Sequence, residues 1–143
     1  VLDFTNAGWR LDTESGSVGF LTDTGYVTDE ALDLLPGVDF VILESNHDVE
    51  SLCSGPYPYY LKRRILGNHG HLSNENAGRL LNCVLHDKLK KVFLGHLSKE
   101  NNYEELAYET VRLEIDEGDC PYGASDFSIS VASRDCMSEI IYL

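Results

Sequence analysis

The stretch Phe93-Leu94-Gly95-His96-Leu97-Ser98 runs from a short apolar segment directly into a histidine and then into a polar segment. An apolar run of this length predicts a buried strand, whose rigid backbone holds the following imidazole at one edge of a sheet. Gly95 is expected to allow a close backbone approach beside it. The stretch Phe20-Leu21-Thr22-Asp23-Thr24-Gly25 has the same pattern, with a carboxylate in place of the imidazole. Two potential ligand side chains at strand ends indicate a metal site.

Similar patterns along the chain predict strands over 18–21, 38–43, 92–94, 127–131 and 140–143. Helical periodicity and capping residues predict helices over 28–35, 48–53, 60–66, 74–86 and 102–114, with Thr28 and Ser73 as N-caps. This alternation favours a single α/β domain over residues 1–143, with a mixed, largely parallel sheet flanked by helices. Functional groups gather at the carboxyl ends of such strands. Asp23, the segment 44–48 and His96 all fall there.

Charge is distributed unevenly along the 143 residues. The net charge of −13 argues against a general nucleic-acid binder. The window 62–99, however, holds eight Lys and Arg residues against two acids, Glu75 and Asp87, which gives a local net charge of +6. This window either faces an anionic substrate or forms solvated helix faces.

The four cysteines lack CxxC spacing, which favours reduced thiols and a cytoplasmic location over a disulfide pair or a metal role. No apolar run approaches the roughly 18 residues of a membrane span. The chain begins at Val1 without an initiator Met, so we expect it to be part of something longer.

Each candidate site residue also has a purely structural interpretation. Asp23 could cap a turn, and His96 could be a hydrogen-bonded structural residue. His71 precedes a predicted helix start, where it could protonate a leaving oxygen, bind phosphate or be an ordinary loop residue. His47 could support a metal ligand or merely satisfy backbone groups.

The joint order of four motifs is more specific than any one of them. Together they resemble the metallo-β-lactamase-fold hydrolases, most closely the WalJ/YycJ-like branch, which is related in layout to ribonuclease Z. The resemblance extends from about Gly16 to the C-terminus. The motifs are Thr22-Asp23-Thr24-Gly25-Tyr26, Leu43-Glu44-Ser45-Asn46-His47-Asp48, Gly70-His71-Leu72-Ser73-Asn74 and Leu94-Gly95-His96-Leu97-Ser98-Lys99-Glu100-Asn101-Asn102.

This resemblance implies a role for each matching residue. Asp23 matches a metal-bridging aspartate, His96 matches the last histidine ligand, and His71 resembles the histidine that assists the leaving group. In such enzymes two metal ions, here Zn or Mn, activate a water that attacks a phosphodiester. The residues expected to contact substrate or support the metal ligands are Glu44, His47, Asp48 and Ser98.

The ligand cluster His-x-His-x-Asp-His that defines the family is absent from the sequence. We therefore expect the C-terminal half of an αββα sandwich from a phosphodiesterase or nuclease-like hydrolase, inactive without the upstream cluster. Its expected partners are a phosphodiester or nucleic-acid substrate, and the missing N-terminal half or a second copy. The alternatives are a non-catalytic folding or dimerisation module, and a hydrolase of small anionic esters.

Overall fold

Strands and helices alternate along residues 8–142, the part of the chain that the computed structural model describes. The strands are β1 (Gly8–Asp12), β2 (Ser17–Leu21), β3 (Phe40–Glu44), β4 (Lys91–Gly95) and β5 (Ser128–Val131). The helices are α1 (Asp29–Leu34), α2 (Val49–Ser54), α3 (Tyr59–Leu66), α4 (Asn74–Val84) and α5 (Glu104–Asp116). The α/β class predicted from the sequence is confirmed.

Two of the predicted helix starts are fixed by the side chains expected to cap them. The Thr28 hydroxyl accepts a hydrogen bond from the Ala31 N–H at 3.1 Å. The Ser73 hydroxyl accepts one from the Asn76 N–H at 3.2 Å. These oxygens satisfy backbone donors that a helix start would otherwise leave unpaired.

The prediction differs from the structure at the two ends of the sheet. It missed β1, which pairs with β2 across a turn closed by the Thr13 N–H and the Gly16 carbonyl at 2.9 Å. It was wrong about a strand at 140–143, because residues 140–142 form no strand; Leu143 lies outside the described residues. Ile140 is 69% exposed, so its apolar character does not reflect burial in a sheet.

The sheet has the strand order β1-β2-β3-β4-β5. β2, β3, β4 and β5 are mutually parallel, and only β1 is antiparallel to its neighbour. The carboxyl ends of β2, β3 and β4 therefore lie side by side at one edge. This places Asp23, Glu44 and His96 at the same edge of the sheet, as the sequence predicted.

Alternate residues of the strands point to opposite faces, and the two faces differ in packing. One face contributes Leu43 and Leu94 to the hydrophobic core, where they meet Leu81 of α4 and Ile115 of α5; all four are fully buried. Burial of such side chains stabilises the fold by about 1.5–3 kcal/mol each.

The opposite face carries an aromatic and aliphatic row in register across β1 to β4: Trp9, Phe20, Ile42 and Phe93. These four residues, here called the aromatic row, lie outside that core cluster. The Trp9 and Phe20 rings stack at 5.0 Å, and Trp9 remains 36% exposed. This face is thus an apolar surface that the core does not use.

Candidate metal centre

Four potential metal ligands meet at the carboxyl edge of the sheet. Asp23 follows β2, Glu44 ends β3, His96 follows β4, and His71 lies just before the start of α4. One ligand atom from each residue lies within 4.8 Å of the ligand atoms of the other three. The structure thus brings together the predicted Asp23, His96 and His71, and adds Glu44 to them as a direct neighbour.

Glu44 is the centre of this group and is fully buried. Its Oε1 lies 2.7 Å from Nδ1 of His71 and 2.7 Å from Nδ1 of His96. Its Oε2 accepts hydrogen bonds from the backbone N–H groups of Thr24 and Leu72, both at 3.2 Å. A buried carboxylate is costly unless hydrogen-bonded, and here both oxygens are satisfied.

These contacts determine the tautomers of the two histidines. An ionised carboxylate only accepts hydrogen bonds, so both Nδ1 atoms facing Glu44 carry a proton. A neutral imidazole protonated at Nδ1 has its free lone pair on Nε2. Glu44 therefore leaves Nε2 of His96 free to bind a cation, as carboxylates commonly do for metal-ligating histidines, and leaves Nε2 of His71 free to exchange a proton.

The backbone at this edge is strained at the two predicted ligands. Asp23 has φ 54° and His96 has φ 55°, the only non-glycine residues with positive φ in the described part of the chain. Such conformations persist where the surrounding structure enforces them, and they cluster at functional sites. At His96 the enforcing contact is the Asn46 side-chain amide, which donates to the His96 carbonyl at 2.8 Å.

The chemistry of the donors fits a divalent cation. Oδ1 of Asp23 lies 3.8 Å from Nδ1 of both histidines, so its carboxylate belongs to the same group of side chains. Carboxylate and imidazole together suit Zn²⁺ and related divalent ions. A group of this size provides enough donors for one ion, since each needs four or more ligands including water.

The group lies at a cleft of about 640 Å³. Asp23, His71 and His96 line it, together with the basic residues Arg64, Lys99 and Arg134. Only Arg64 and Lys99 come from the basic window seen in the sequence. Other members of that window pair with acids elsewhere: Arg79 with Glu114, Lys90 with Asp39 and Lys91 with Glu139.

The remaining predicted residues lie at different distances from the cleft. Ser98 lines it, whereas Asp48 caps α2 by accepting from the Ser51 N–H at 2.7 Å. His47 is buried, with Nδ1 3.3 Å from Oδ1 of Asn46. Asn46, which lines the cleft and donates to the His96 carbonyl, was predicted only as part of the segment 44–48, without a role of its own.

Burial, and to a lesser extent the nearby His71, lowers the pKa of His47 to about 4. Because this pKa is depressed in the folded state, the unfolded chain binds more protons between about pH 6.5 and pH 4. Stability therefore falls as the pH falls through that window, by about 2 kcal/mol between pH 7 and pH 5 from this group alone. Urea unfolding at the two pH values measures it, and His47→Gln should remove that part of the pH dependence; an unchanged dependence in the variant would contradict the assignment.

Comparisons with known proteins agree with this fold. A family model described as "Beta-lactamase superfamily domain" matches residues 3–96. The chain is 42% identical over 127 residues to exodeoxyribonuclease WalJ of Streptococcus pneumoniae, a match that covers 89% of this chain and 47% of that protein. It is 43% identical over 109 residues to exodeoxyribonuclease YycJ of Bacillus anthracis, covering 76% of this chain and 41% of the relative.

A solved structure shows the same fold. The metallo-beta-lactamase fold protein YhfI from Bacillus subtilis superposes with a TM-score of 0.51 at 16% identity, covering 87% of this chain and 40% of that one. The chain spans about half the length of the curated relatives it matches. None of the described helices is both long and apolar enough to cross a membrane. By the family model that matches most of its length, and by the fold, this chain belongs to the beta-lactamase superfamily domain family.

Proposed function

We propose that this chain is the C-terminal part of a metal-dependent phosphodiester hydrolase that acts on nucleic acid. The observation that carries the proposal is the group Asp23, Glu44, His71 and His96 at a cleft that is also lined by Arg64, Lys99 and Arg134. A cation site beside guanidinium and ammonium groups suits a phosphodiester, whose negative charge both can neutralise. The names of the WalJ and YycJ relatives support nucleic acid as the substrate class.

In this proposal Asp23 and His96 hold the metal, which is Zn²⁺ or Mn²⁺. A bound divalent cation supplies Lewis-acid stabilisation of the charge that develops on the phosphoryl oxygens. Glu44 orients His71 and His96 through their Nδ1 atoms. Arg64, Lys99 and Arg134 bind the substrate phosphates, and Ser98 lines the same cleft.

His71 acts as the general acid. The Glu44 carboxylate, 2.7 Å from Nδ1, holds the His71 ring in place. Water forms the new bond to phosphorus and releases one proton to the solvent, the bond to the leaving oxygen breaks, and that oxygen takes the proton from Nε2 of His71, which the solvent later replaces. His71 then returns to its neutral form, with its remaining proton on Nδ1.

A second metal ion would need donors beyond these four residues. We propose that a further polypeptide segment supplies them and packs on the aromatic row, since the matched relatives are about twice as long. In that case the chain forms one partial domain with low activity by itself. We place the protein in the cytoplasm, because all four of its cysteines are free thiols.

The proposal is tested by metal content and hydrolysis. The chain, and a fusion carrying the N-terminal part of the pneumococcal relative, are loaded with Zn²⁺ or Mn²⁺ and analysed for bound metal and for hydrolysis of bis(p-nitrophenyl) phosphate. Asp23→Ala removes one donor outright, so we expect metal binding to weaken at least as much as on loss of a residue that only orients the ligands, by roughly 100-fold or more. Asp33→Ala, an exposed acid on α1, is the matched control. A fusion that binds no metal would overturn the proposal.

A non-catalytic dimerisation module is the second candidate, favoured by the exposed part of the aromatic row. It predicts a concentration-dependent dimer that loses affinity on Trp9→Ser. Light scattering that shows a monomer, together with no binding of a hydrophobic dye, would count against this candidate. Hydrolysis of small anionic esters without any nucleic-acid binding would instead favour a small-molecule hydrolase.

A further inference from the structure

Helix α3 is unusual because none of its residues is buried. Its sequence is Tyr-Tyr-Leu-Lys-Arg-Arg-Ile-Leu, and Tyr59 and Tyr60 are 75% and 73% exposed. A helix normally gains its stability by burying an apolar face, whereas the apolar residues Leu61 and Ile65 of α3 are only partly buried. Its aromatic and basic side chains are thus available to something outside the core.

The helix is nevertheless fixed beside the metal centre. The Lys62 ammonium donates to the Cys53 carbonyl at 2.6 Å, and the His71 N–H donates to the Ile65 carbonyl at 3.1 Å. The loop that follows α3 lies so close to Gly25 that a Cβ there would be 2.2 Å from the Gly67 carbonyl oxygen. These contacts tie α3 to the loops that carry His71 and Asp23.

One side of α3, together with Tyr57 just before it, forms a wall of the cleft. Tyr57, Leu61, Arg64 and Ile65 line the same cavity as the candidate metal ligands. Lys99 and Arg134 also line it, from the loops that follow β4 and β5. A chain of phosphates lying in this cleft would have positive charge available from separate parts of the fold, with an aromatic ring and aliphatic side chains beside it.

We propose that the segment 57–65 is a binding wall for a single nucleic-acid strand that extends from the metal centre. Arg64 contacts a backbone phosphate, and the Tyr57 ring stacks on an unpaired base. The strand is single because aromatic stacking of this kind requires a free base face, which a duplex keeps within its own stack. This inference rests on the proposed function, since it assigns the substrate of the same site.

The test is fluorescence anisotropy of labelled oligothymidylate in EDTA, which measures binding without hydrolysis. Tyr57→Ala should raise the dissociation constant at least about fivefold, which is the lower end of the effect expected for loss of one stacked base. Arg64→Ala should weaken it and reduce the slope of log K against log salt by about 0.7, the value for one phosphate contact with a single strand. Tyr57→Phe keeps the ring and should retain most of the affinity.

The controls use residues of the same types outside the cleft. Tyr108→Ala on α5 and Arg79→Ala on α4 should leave the affinity within about twofold of the unchanged chain, since neither lines the cleft. Circular dichroism checks that each variant is folded. Equal losses in the controls, no loss in Tyr57→Ala and Arg64→Ala, or an equally tight complex with a hairpin duplex would each overturn the inference.

Hydrolysis of bis(p-nitrophenyl) phosphate by the metal-loaded fusion separates this inference from the proposed function. If the fusion hydrolyses the diester but Tyr57→Ala and Arg64→Ala leave its affinity for oligothymidylate unchanged, the binding wall is rejected and the proposed function is retained. Binding that depends on Tyr57 and Arg64 in a fusion that neither binds metal nor hydrolyses the diester would support the wall and reject the hydrolase.

Discussion

Glu44→Gln is expected to weaken metal binding roughly 100-fold, the upper end for residues that orient metal ligands, while the chain stays folded. The amide oxygen can still accept from the Thr24 and Leu72 N–H groups, which places the amide nitrogen against His71 and His96. Its two hydrogens then require both Nδ1 atoms to accept. The protons of both imidazoles move to Nε2, and on His96 this proton blocks the lone pair that would bind the cation.

Isothermal titration with Zn²⁺ measures the affinity, and imidazole ¹⁵N shifts report the tautomer of each ring. The free energy of unfolding should fall by only about 1 kcal/mol, because every hydrogen-bonding group keeps a partner. Glu50→Gln makes the same charge change on the exposed surface of α2 and should alter neither quantity. A variant with Nε2-protonated rings and undiminished affinity would show that Glu44 does not act through the histidine tautomers.

The role of Glu44 shows what the sequence could and could not predict about this site. Asp23 and His96 were predictable because each follows an apolar strand, and parallel strands bring their carboxyl ends together. The motif around Glu44 was equally visible, but it offers Glu44, Asn46, His47 and Asp48 in succession. Which of them turns inward depends on partners from distant loops, such as Leu72 and Thr24, which no local pattern encodes.

The charge pattern shows the same limit. The window 62–99 predicted a basic surface. In the fold, however, the helices and strands of this window direct its basic side chains to different parts of the surface. Lys90 pairs with Asp39, whereas Arg134, from well outside the window, lines the cleft. Likewise, the missed strand β1 depends on pairing with β2 across a turn, and pairing is a property of two segments rather than one.

Gly70→Ala and Gly95→Ala form a matched pair, since each glycine directly precedes a candidate site histidine. A Cβ on Gly70 would lie 2.0 Å from the Ile65 carbonyl oxygen and 2.5 Å from that of Arg64. A Cβ on Gly95 would meet nothing closer than the Ala132 Cβ at 4.0 Å, so the close approach expected there from sequence is absent. The tight approach lies instead at Gly70.

We therefore expect Gly70→Ala to lower the free energy of unfolding by about 3 kcal/mol, the upper range for overpacking, because the clash is with backbone that cannot rotate away. The hydrogen bond from the His71 backbone N–H to the Ile65 carbonyl must break to relieve this clash. His71 then moves away from Glu44, and α3 loses a contact that holds it beside the metal centre. Gly95→Ala should change stability by less than about 1 kcal/mol, since the new methyl group makes only ordinary contact. Urea unfolding of both variants gives the free energies, and the imidazole ¹⁵N shifts show whether His71 alone is displaced. Equal stability in the two variants would mean that the Gly70 loop yields freely, and that α3 is not held in place by its contacts with the site.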